Sequence, residues 1–227
     1  MSGKGGDSDK ESSAYRGKTV RVRTARKRKP SSTRWLQRQL NDPYVARSKA
    51  EGYRSRAAYK LIEINEKNHL LSKGKTVVDL GAAPGSWSQV AIEKGMQVIG
   101  IDLLPIEPLP GAIFIQGDFL TDEAEQEIKA LTNDGIALVM SDMAASSSGH
   151  AQTDHLRIMG LCETALHFAL EVLSPGGAFL AKVLQGGTEK ALLDTMKQHF
   201  KTVKHIKPKA SRKDSSEMYV LALGFHS

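Results

Sequence analysis

After residue 75 the chain alternates short apolar runs with stretches of helical periodicity, and that alternation narrows the fold more than any other feature. Residues 76–80, 97–101, 112–116, 136–140 and 178–183 read as strands. Between them, residues 86–94, 122–131 and 153–173 read as helices, and another helix is expected near 188–200. A parallel sheet needs such crossovers, so this pattern predicts an α/β fold, a mostly parallel sheet flanked by helices. The last two strands, 202–206 and 218–223, have no helix between them and should form an antiparallel pair at one edge, joined by the polar loop 207–217. Upstream, Trp35, Leu36 and Leu40 suggest a short amphipathic element, broken by Asn41-Asp42-Pro43. Residues 44–50 are weakly helical. Residues 57–69 form a helix with Tyr59, Leu61, Ile62 and Ile64 on its apolar face, and Gly74 closes the region.

Ligands of open α/β sheets bind at the C-terminal ends of the strands. Five expected strand ends carry residues able to hold one: the loop Gly81-Ala82-Ala83-Pro84-Gly85, then Asp102, Asp118 and Asp142, and the residues after Lys182. Glycines in the first loop let backbone approach a ligand closely. Asp102 lies 21 residues beyond Gly81, where a carboxylate can accept the hydroxyls of a ribose. A dinucleotide fingerprint needs glycines at its first, third and sixth positions; here those are Gly81, Ala83 and Ser86. Pro84 also removes a donor that a pyrophosphate would use. That pattern disfavours a nicotinamide cofactor and leaves adenosylmethionine. Asp118 reads equally as an acceptor for an adenine amino group, with Phe119 packed nearby, or as a helix cap. Trp87 reads as a core residue at a helix start or as a border of the cofactor.

Charge is unevenly placed. Residues 1–40 hold twelve Lys/Arg against three Asp/Glu, which leaves 20 of the 32 basic residues against 22 of the 25 acidic ones for the remainder. The body is nearly neutral and the basic excess lies in residues 1–32, expected to be a disordered tail ahead of a single domain over 33–227. Such a tail, with Arg21, Arg23, Arg26, Lys27, Arg28 and Lys29, can meet phosphates through counterion release. Cys162, the one cysteine, excludes an internal disulfide and a cysteine-built zinc cage. The histidines lack metal-ligand spacing, and His150 and His155 stand five apart. No stretch is apolar enough to cross a bilayer and no secretory signal is evident, so a cytoplasmic monomer without metal is expected.

Several motifs, in order, carry a family resemblance: Trp35-Leu36, Arg54-Ser55-Arg56-Ala57 with Lys60, Asp79-Leu80-Gly81-Ala82-Ala83-Pro84-Gly85, Asp102-Leu103-Leu104-Pro105, Gln116-Gly117-Asp118-Phe119 and Met140-Ser141-Asp142-Met143. Leu173-Ser174-Pro175-Gly176-Gly177, Lys182 with Gln185-Gly186, and Ser215-Ser216-Glu217-Met218-Tyr219 continue it. Over roughly residues 33–225 the chain resembles the FtsJ/RrmJ (RlmE) family of bacterial ribosomal RNA methyltransferases. The resemblance implies a seven-stranded, Rossmann-like class I methyltransferase sheet with its last strand antiparallel. It also implies a catalytic set Lys60, Asp142, Lys182 and Glu217, and a cofactor, S-adenosylmethionine, held by Gly81, Ala82, Pro84, Gly85, Ser86, Trp87, Asp102, Asp118, Phe119 and Asp142. The substrate implied is the ribose 2′-hydroxyl of an A-loop uridine in 23S rRNA, within the large (50S) ribosomal subunit. Two departures stand out. Ala144-Ala145-Ser146-Ser147-Ser148 replaces the usual proline and asparagine after Asp-Met, and Ser86 replaces a second glycine. Methylation of another RNA, or a non-catalytic role in ribosome assembly, remain the alternatives.

The residue types suit the chemistry. A ribose hydroxyl is a poor nucleophile, and aligning it with an activated methyl group is worth roughly 7–11 kcal/mol in favourable cases. A lysine serves as base only where desolvation or a neighbouring cation favours its neutral form, which paired lysines can supply. Lys182 is expected to steer and deprotonate the hydroxyl, with Asp142 as its closest partner, Lys60 positioning the ribose and Glu217 in support. Lys182 sits inside an apolar run, where a charge is usually paired or functional; Lys60 and Glu217 alone would read as solvated surface charges. For RNA, Arg34, Arg38, Arg47, Lys49, Arg54 and Arg56 precede the catalytic lysine, and Lys207, Lys209, Arg212 and Lys213 precede Glu217. They are expected to grip backbone phosphates.

Overall fold

The computed structural model describes residue 21 and residues 29–132, 135–145, 148–186, 190–212 and 214–226. Of the basic segment expected to be disordered, residues 1–20 and 22–28, including Arg23, Arg26, Lys27 and Arg28, lie outside the described residues, as do Ser146, Ser147 and Lys213. Three helices open the fold: α1 (Pro30–Leu40), α2 (Pro43–Ala50) and α3 (Ala58–Asn68). Helix α1 therefore starts inside the segment assigned to the tail, with Pro30 at its first turn, a position that needs no backbone N–H. Asp42 caps α2 by accepting from Tyr44 N at 3.1 Å. Helix α3 stops at His69 in the left-handed conformation, five residues before Gly74.

The remainder runs β1 (Thr76–Leu80), α4 (Ser86–Glu93), β2 (Gln97–Asp102), β3 (Ala112–Gln116), α5 (Asp122–Ala130) and β4 (Ile136–Ser141). Then follow α6 (Ala151–Val172), β5 (Leu173–Leu184), α7 (Lys190–His199), β6 (Phe200–Ile206) and β7 (Glu217–Phe225). The sheet has seven strands in the order β3-β2-β1-β4-β5-β7-β6. Strands β1 to β5 pair in parallel; β7 lies antiparallel between β5 and β6. The final two strands form the expected antiparallel pair at one edge. β6 is outermost, and the antiparallel strand is inserted beside β5. Strand β5 also begins earlier than residue 178, because Leu173 already pairs with Ile136 across a register shift.

The sheet separates two cores. On one face α5, α6 and α7 bury Ile128, Phe168 and Met196 against Val78, Leu80, Val139 and Phe179. On the other, α3 and α4 bury Leu61, Ile64 and Val90 against Val77, Leu138, Met140 and Leu180. Because both faces are covered, the central strands are apolar without alternation. Each fully buried Leu, Ile or Phe contributes roughly 1.5–3 kcal/mol. Cys162 is buried within the first core, and burial pushes its thiol up to about 12, which suits a packing residue and not a nucleophile.

Candidate active site

The antiparallel insertion of β7 decides where the charges meet. Since β7 runs against β5, its first residue lies beside the last residue of β5: Glu217 pairs with Leu184 and Tyr219 with Lys182. A residue that begins a strand thereby reaches the edge where the parallel strands end. Lys60 arrives from the first turn of α3, which packs on that side of the sheet.

Four charged side chains converge there. Lys182 Nζ lies 2.7 Å from Asp142 Oδ1, donates to the Asp142 carbonyl at 2.7 Å, and stands 3.9 Å from Glu217 Oε2. Lys60 Nζ is 2.8 Å from Glu217 Oε1 and 3.6 Å from Asp142 Oδ2. Two ammoniums and two carboxylates thus balance in a largely desolvated space, where each leaves the other compensated. Each lysine faces a carboxylate at close range, so neither stands as a cation repelled by the other alone. Burial alone would push the Asp142 carboxyl up; Lys182 and Lys60, with hydrogen bonds from Lys182 and Tyr219, outweigh it and hold the group below the usual carboxylate range.

Tyr219, not singled out from the sequence, completes the cluster. Its hydroxyl donates to Asp142 Oδ1 at 2.7 Å, while burial and the neighbouring Asp142 and Glu217 charges push its pKa well above the ordinary value. The phenol is a fixed donor. Ser211 Oγ donates to Glu217 Oε1 at 2.8 Å and orients that carboxylate from the β6–β7 loop. Trp87 stacks against the Tyr219 ring, with centroids 5.6 Å apart, and donates from Nε1 to Ala57 O at 2.9 Å.

Beside the cluster lies a cavity of about 750 Å³, lined by Gly81, Ala83, Asp102, Asp118, Phe119, Asp142 and Met143 among others. Asp142 belongs to both. Gly81 has φ +73°, and a Cβ there would collide with Met143; only glycine keeps this wall open. Asp102 is fixed by two backbone donors, Ala83 N to Oδ2 and Leu104 N to Oδ1, each at 2.9 Å. Asp118 accepts from Leu120 N at 3.0 Å and is not the cap of α5; Thr121 takes that position, accepting from Ala124 N. Phe119 packs edge-on against Phe168 at 5.4 Å.

Five residues expected to hold the cofactor do not line this cavity. Ala82, Ser86 and Trp87 are buried behind the loop, Ser86 sharing a hydrogen bond with Ser55 Oγ at 2.7 Å. Pro84 and Gly85 face Arg54, whose Nη1 lies 2.6 Å from where a Gly85 Cβ would stand. From the far wall, α6 supplies Arg157, Gly160, Leu161 and Thr164, which helical periodicity alone did not mark as ligand-facing.

Three residues expected at RNA, Arg54, Arg56 and Arg212, also make ties within the protein. Arg54 donates to Pro84 O (3.0 Å), Glu107 O (2.8 Å) and Pro108 O (2.9 Å), stapling the loop after β1 to the loop after β2. Arg56 pairs with Asp42 at 2.6 Å and donates to Ala210 O. Burial lowers its pKa, Asp42 opposes that, and Arg212 adds to it. Arg212 reaches the same Asp42 oxygen at 3.3 Å. Arg34, Arg38, Lys49, Lys207 and Lys209 are exposed, Arg38 lying 3.9 Å from Asp214 and Lys207 donating to Ser215 O. Arg47 pairs with Glu51 at 2.7 Å. Among the described residues no group of three or more His, Cys, Asp or Glu could hold a metal ion, and no described helix is long and apolar enough to cross a membrane.

The family model described as FtsJ-like methyltransferase matches residues 53–225, which include all four converging charges. The chain belongs to the FtsJ-like methyltransferase family. Curated relatives named ribosomal RNA large subunit methyltransferase E are 60% identical in Granulibacter bethesdensis, over 92% of each chain, and 60% identical in Paramagnetospirillum magneticum, over 91% of this chain and 88% of that one. A solved structure assigned as a ribosomal RNA methyltransferase of Plasmodium falciparum is 33% identical with a TM-score of 0.69, covering 76% of this chain and 98% of the other. Methyl transfer is therefore the class of reaction in which the cluster and cavity are to be read.

Proposed function

We propose that this FtsJ-like methyltransferase uses S-adenosylmethionine to methylate the ribose 2′-hydroxyl of an A-loop uridine in 23S rRNA, within the large ribosomal subunit. The observation that carries the reading is the charge-balanced cluster Lys60, Asp142, Lys182 and Glu217 beside a cavity of about 750 Å³, with Asp142 shared between them. The names of the curated relatives support the substrate class.

The cavity suits an adenosyl group. Its carboxylates at Asp102 and Asp118 can accept ribose hydroxyls and an adenine amino group, Phe119 gives an apolar face, and Gly81 leaves room beside Met143. S-Adenosylmethionine supplies a methyl group already activated on a sulfonium. The protein's work is then alignment and proton removal. Lys182, anchored by the Asp142 carboxylate and carbonyl, directs a remaining N–H to the ribose oxygen and fixes its approach. Lys60, held by Glu217, steadies the ribose from the other side. The hydroxyl becomes strongly acidic as it is alkylated, so the Asp142 carboxylate, kept ionised by both lysines and Tyr219, suffices to take the proton. Exposed Arg34, Arg38, Lys207 and Lys209 meet backbone phosphates around the mouth.

The test is to map 2′-O-methyl marks on rRNA from large subunits incubated with S-adenosylmethionine, with and without the protein. One new mark on an A-loop uridine is expected. Marks only on another RNA, or none, would reject the substrate.

A further inference from the structure

A second, smaller cavity of about 190 Å³ is lined by Lys60 and Glu217 of the cluster but not by Asp142, together with Gln39, Arg56, Arg212 and Ser215. Three of these side chains are cationic and one is anionic. Asp42 lies next to them, but its Oδ2 is shared by both guanidiniums, at 2.6 Å from Arg56 and 3.3 Å from Arg212. Arg56 Nε and Arg212 Nη2 are shielded from solvent and have no hydrogen-bond partner. Unpaired buried donors are costly, so Asp42 alone does not satisfy the two guanidiniums, which line the cavity and give it a cationic wall for an incoming anion. Planar guanidiniums, with Ser215 and Gln39 as neutral donors, suit a tetrahedral oxyanion with several acceptor oxygens.

We infer that this cavity is a subsite for one phosphodiester of the substrate, the 3′-phosphate of the nucleotide being methylated. The inference rests on the ribose reading above, which puts the acceptor hydroxyl between Lys182 and Lys60. In a nucleotide the 2′-oxygen and the 3′-phosphate sit on adjacent ring carbons. A ribose whose hydroxyl meets Lys60 therefore carries its 3′-phosphate within reach of the cavity that Lys60 also lines. Lys60 is common to both sites, touching Glu217 in the small cavity and Asp142 in the large one. Arg56 and Arg212 then act on one defined phosphate and not as general surface charge, and Asp42 holds both at the right spacing.

The test titrates the full-length protein with uridine 3′-monophosphate, uridine and inorganic phosphate, following binding by calorimetry. The same preparations are assayed for methylation of large subunits at several salt concentrations. Two variants are compared, Arg212→Gln and Gln39→Glu; the second puts a carboxylate at the cavity while leaving the Arg212–Asp42 pair in place. The monophosphate and inorganic phosphate should bind the wild type, and uridine should bind at least tenfold more weakly. Both variants should lose binding at least tenfold, raise KM for large subunits about tenfold, and leave cofactor affinity within twofold. Wild-type monophosphate binding in Gln39→Glu, or failure of the wild type to prefer phosphate over uridine, overturns the subsite even if methylation is normal. If the wild type methylates no large-subunit rRNA yet binds phosphate in a way both variants abolish, the substrate reading falls and the anion site stands.

Discussion

The large cavity and the four-charge cluster share Asp142 and one edge of the sheet, but they are assembled from different parts of the chain. The cavity is made of consecutive parallel-strand ends, with residues from the loops after β1, β2, β3 and β4 and a wall from α6. The cluster draws Asp142 and Lys182 from parallel strands, Lys60 from a helix outside the alternating pattern, and Glu217 from the one strand that runs the other way. The cavity is open and mostly apolar, so its shape depends on what is missing, such as a Cβ at Gly81. The cluster is closed and charged, so its integrity depends on every partner being present. Cofactor binding and chemistry should therefore separate under mutation.

The largest effect is expected at the shared residue. Asp142→Ala removes the partner of both lysines and of Tyr219, and methylation should fall by roughly 10²–10⁴-fold, the range for loss of a positioned proton-transfer group. Single-turnover kinetics with saturating cofactor would check this; a loss of less than tenfold contradicts a central role.

Next comes a stability effect in the wall behind the cavity. Asp79 is fully buried beneath the loop after β1, bonded by Ser88 Oγ at 2.6 Å, and burial pushes its carboxyl from 3.8 up to about 7, with Ser88 opposing. A raised carboxyl binds its proton more tightly in the folded state. Its stabilising contribution is complete below about pH 4 and is lost as pH rises to about 7. Asp79→Asn should cancel that loss, gaining stability over the wild type by up to a few kcal/mol between those limits, at about 1.4 kcal/mol per pKa unit. Denaturant melts at pH 4 and 7 decide it; a constant difference between the two proteins contradicts the argument.

A smaller change should divide the two regions. Arg54→Ala cuts the staple between the loops after β1 and β2, with about 1.5–3 kcal/mol at stake in hydrogen bonds to a charged group. Cofactor affinity should fall at least tenfold while KM for large subunits stays within twofold. The reverse pattern would return Arg54 to RNA binding. Smallest is Tyr219→Phe, which deletes the donor to Asp142 but keeps the ring against Trp87. It should slow methylation about tenfold and cost about 1 kcal/mol of stability, measured together on one preparation.

The same contrast explains what could be read in the sequence. Period and turn chemistry locate the parallel strands and their ends, and with them Gly81, Asp102, Asp118 and Asp142, which line the large cavity. Ala82 is buried within the loop, and Ser86 and Trp87 are buried in the first turn of α4 against Ser55 and Ala57; no linear pattern distinguishes them from the residues that line the cavity. Glu217 was legible only through the family resemblance, since nothing in residues 207–223 says that β7 inserts beside β5 instead of capping the edge. Arg54 and Arg56 looked like surface cations because a basic run carries no record of the carbonyls and of Asp42, which close on them from distant segments. Tyr219 was hidden by the opposite effect: a tyrosine in an apolar strand reads as packing, and only the fold shows its hydroxyl at Asp142.

The most direct test of the central claim is the Lys182→Ala variant, measured for cofactor binding by calorimetry and for methyl incorporation into large subunits. Lys182 touches the cluster but does not line the large cavity. Turnover should fall at least a hundredfold, though no further than in Asp142→Ala, while cofactor affinity stays within about threefold of the wild type, a difference under 1 kcal/mol. Near-normal methylation would show that the charged cluster is not where the reaction takes place.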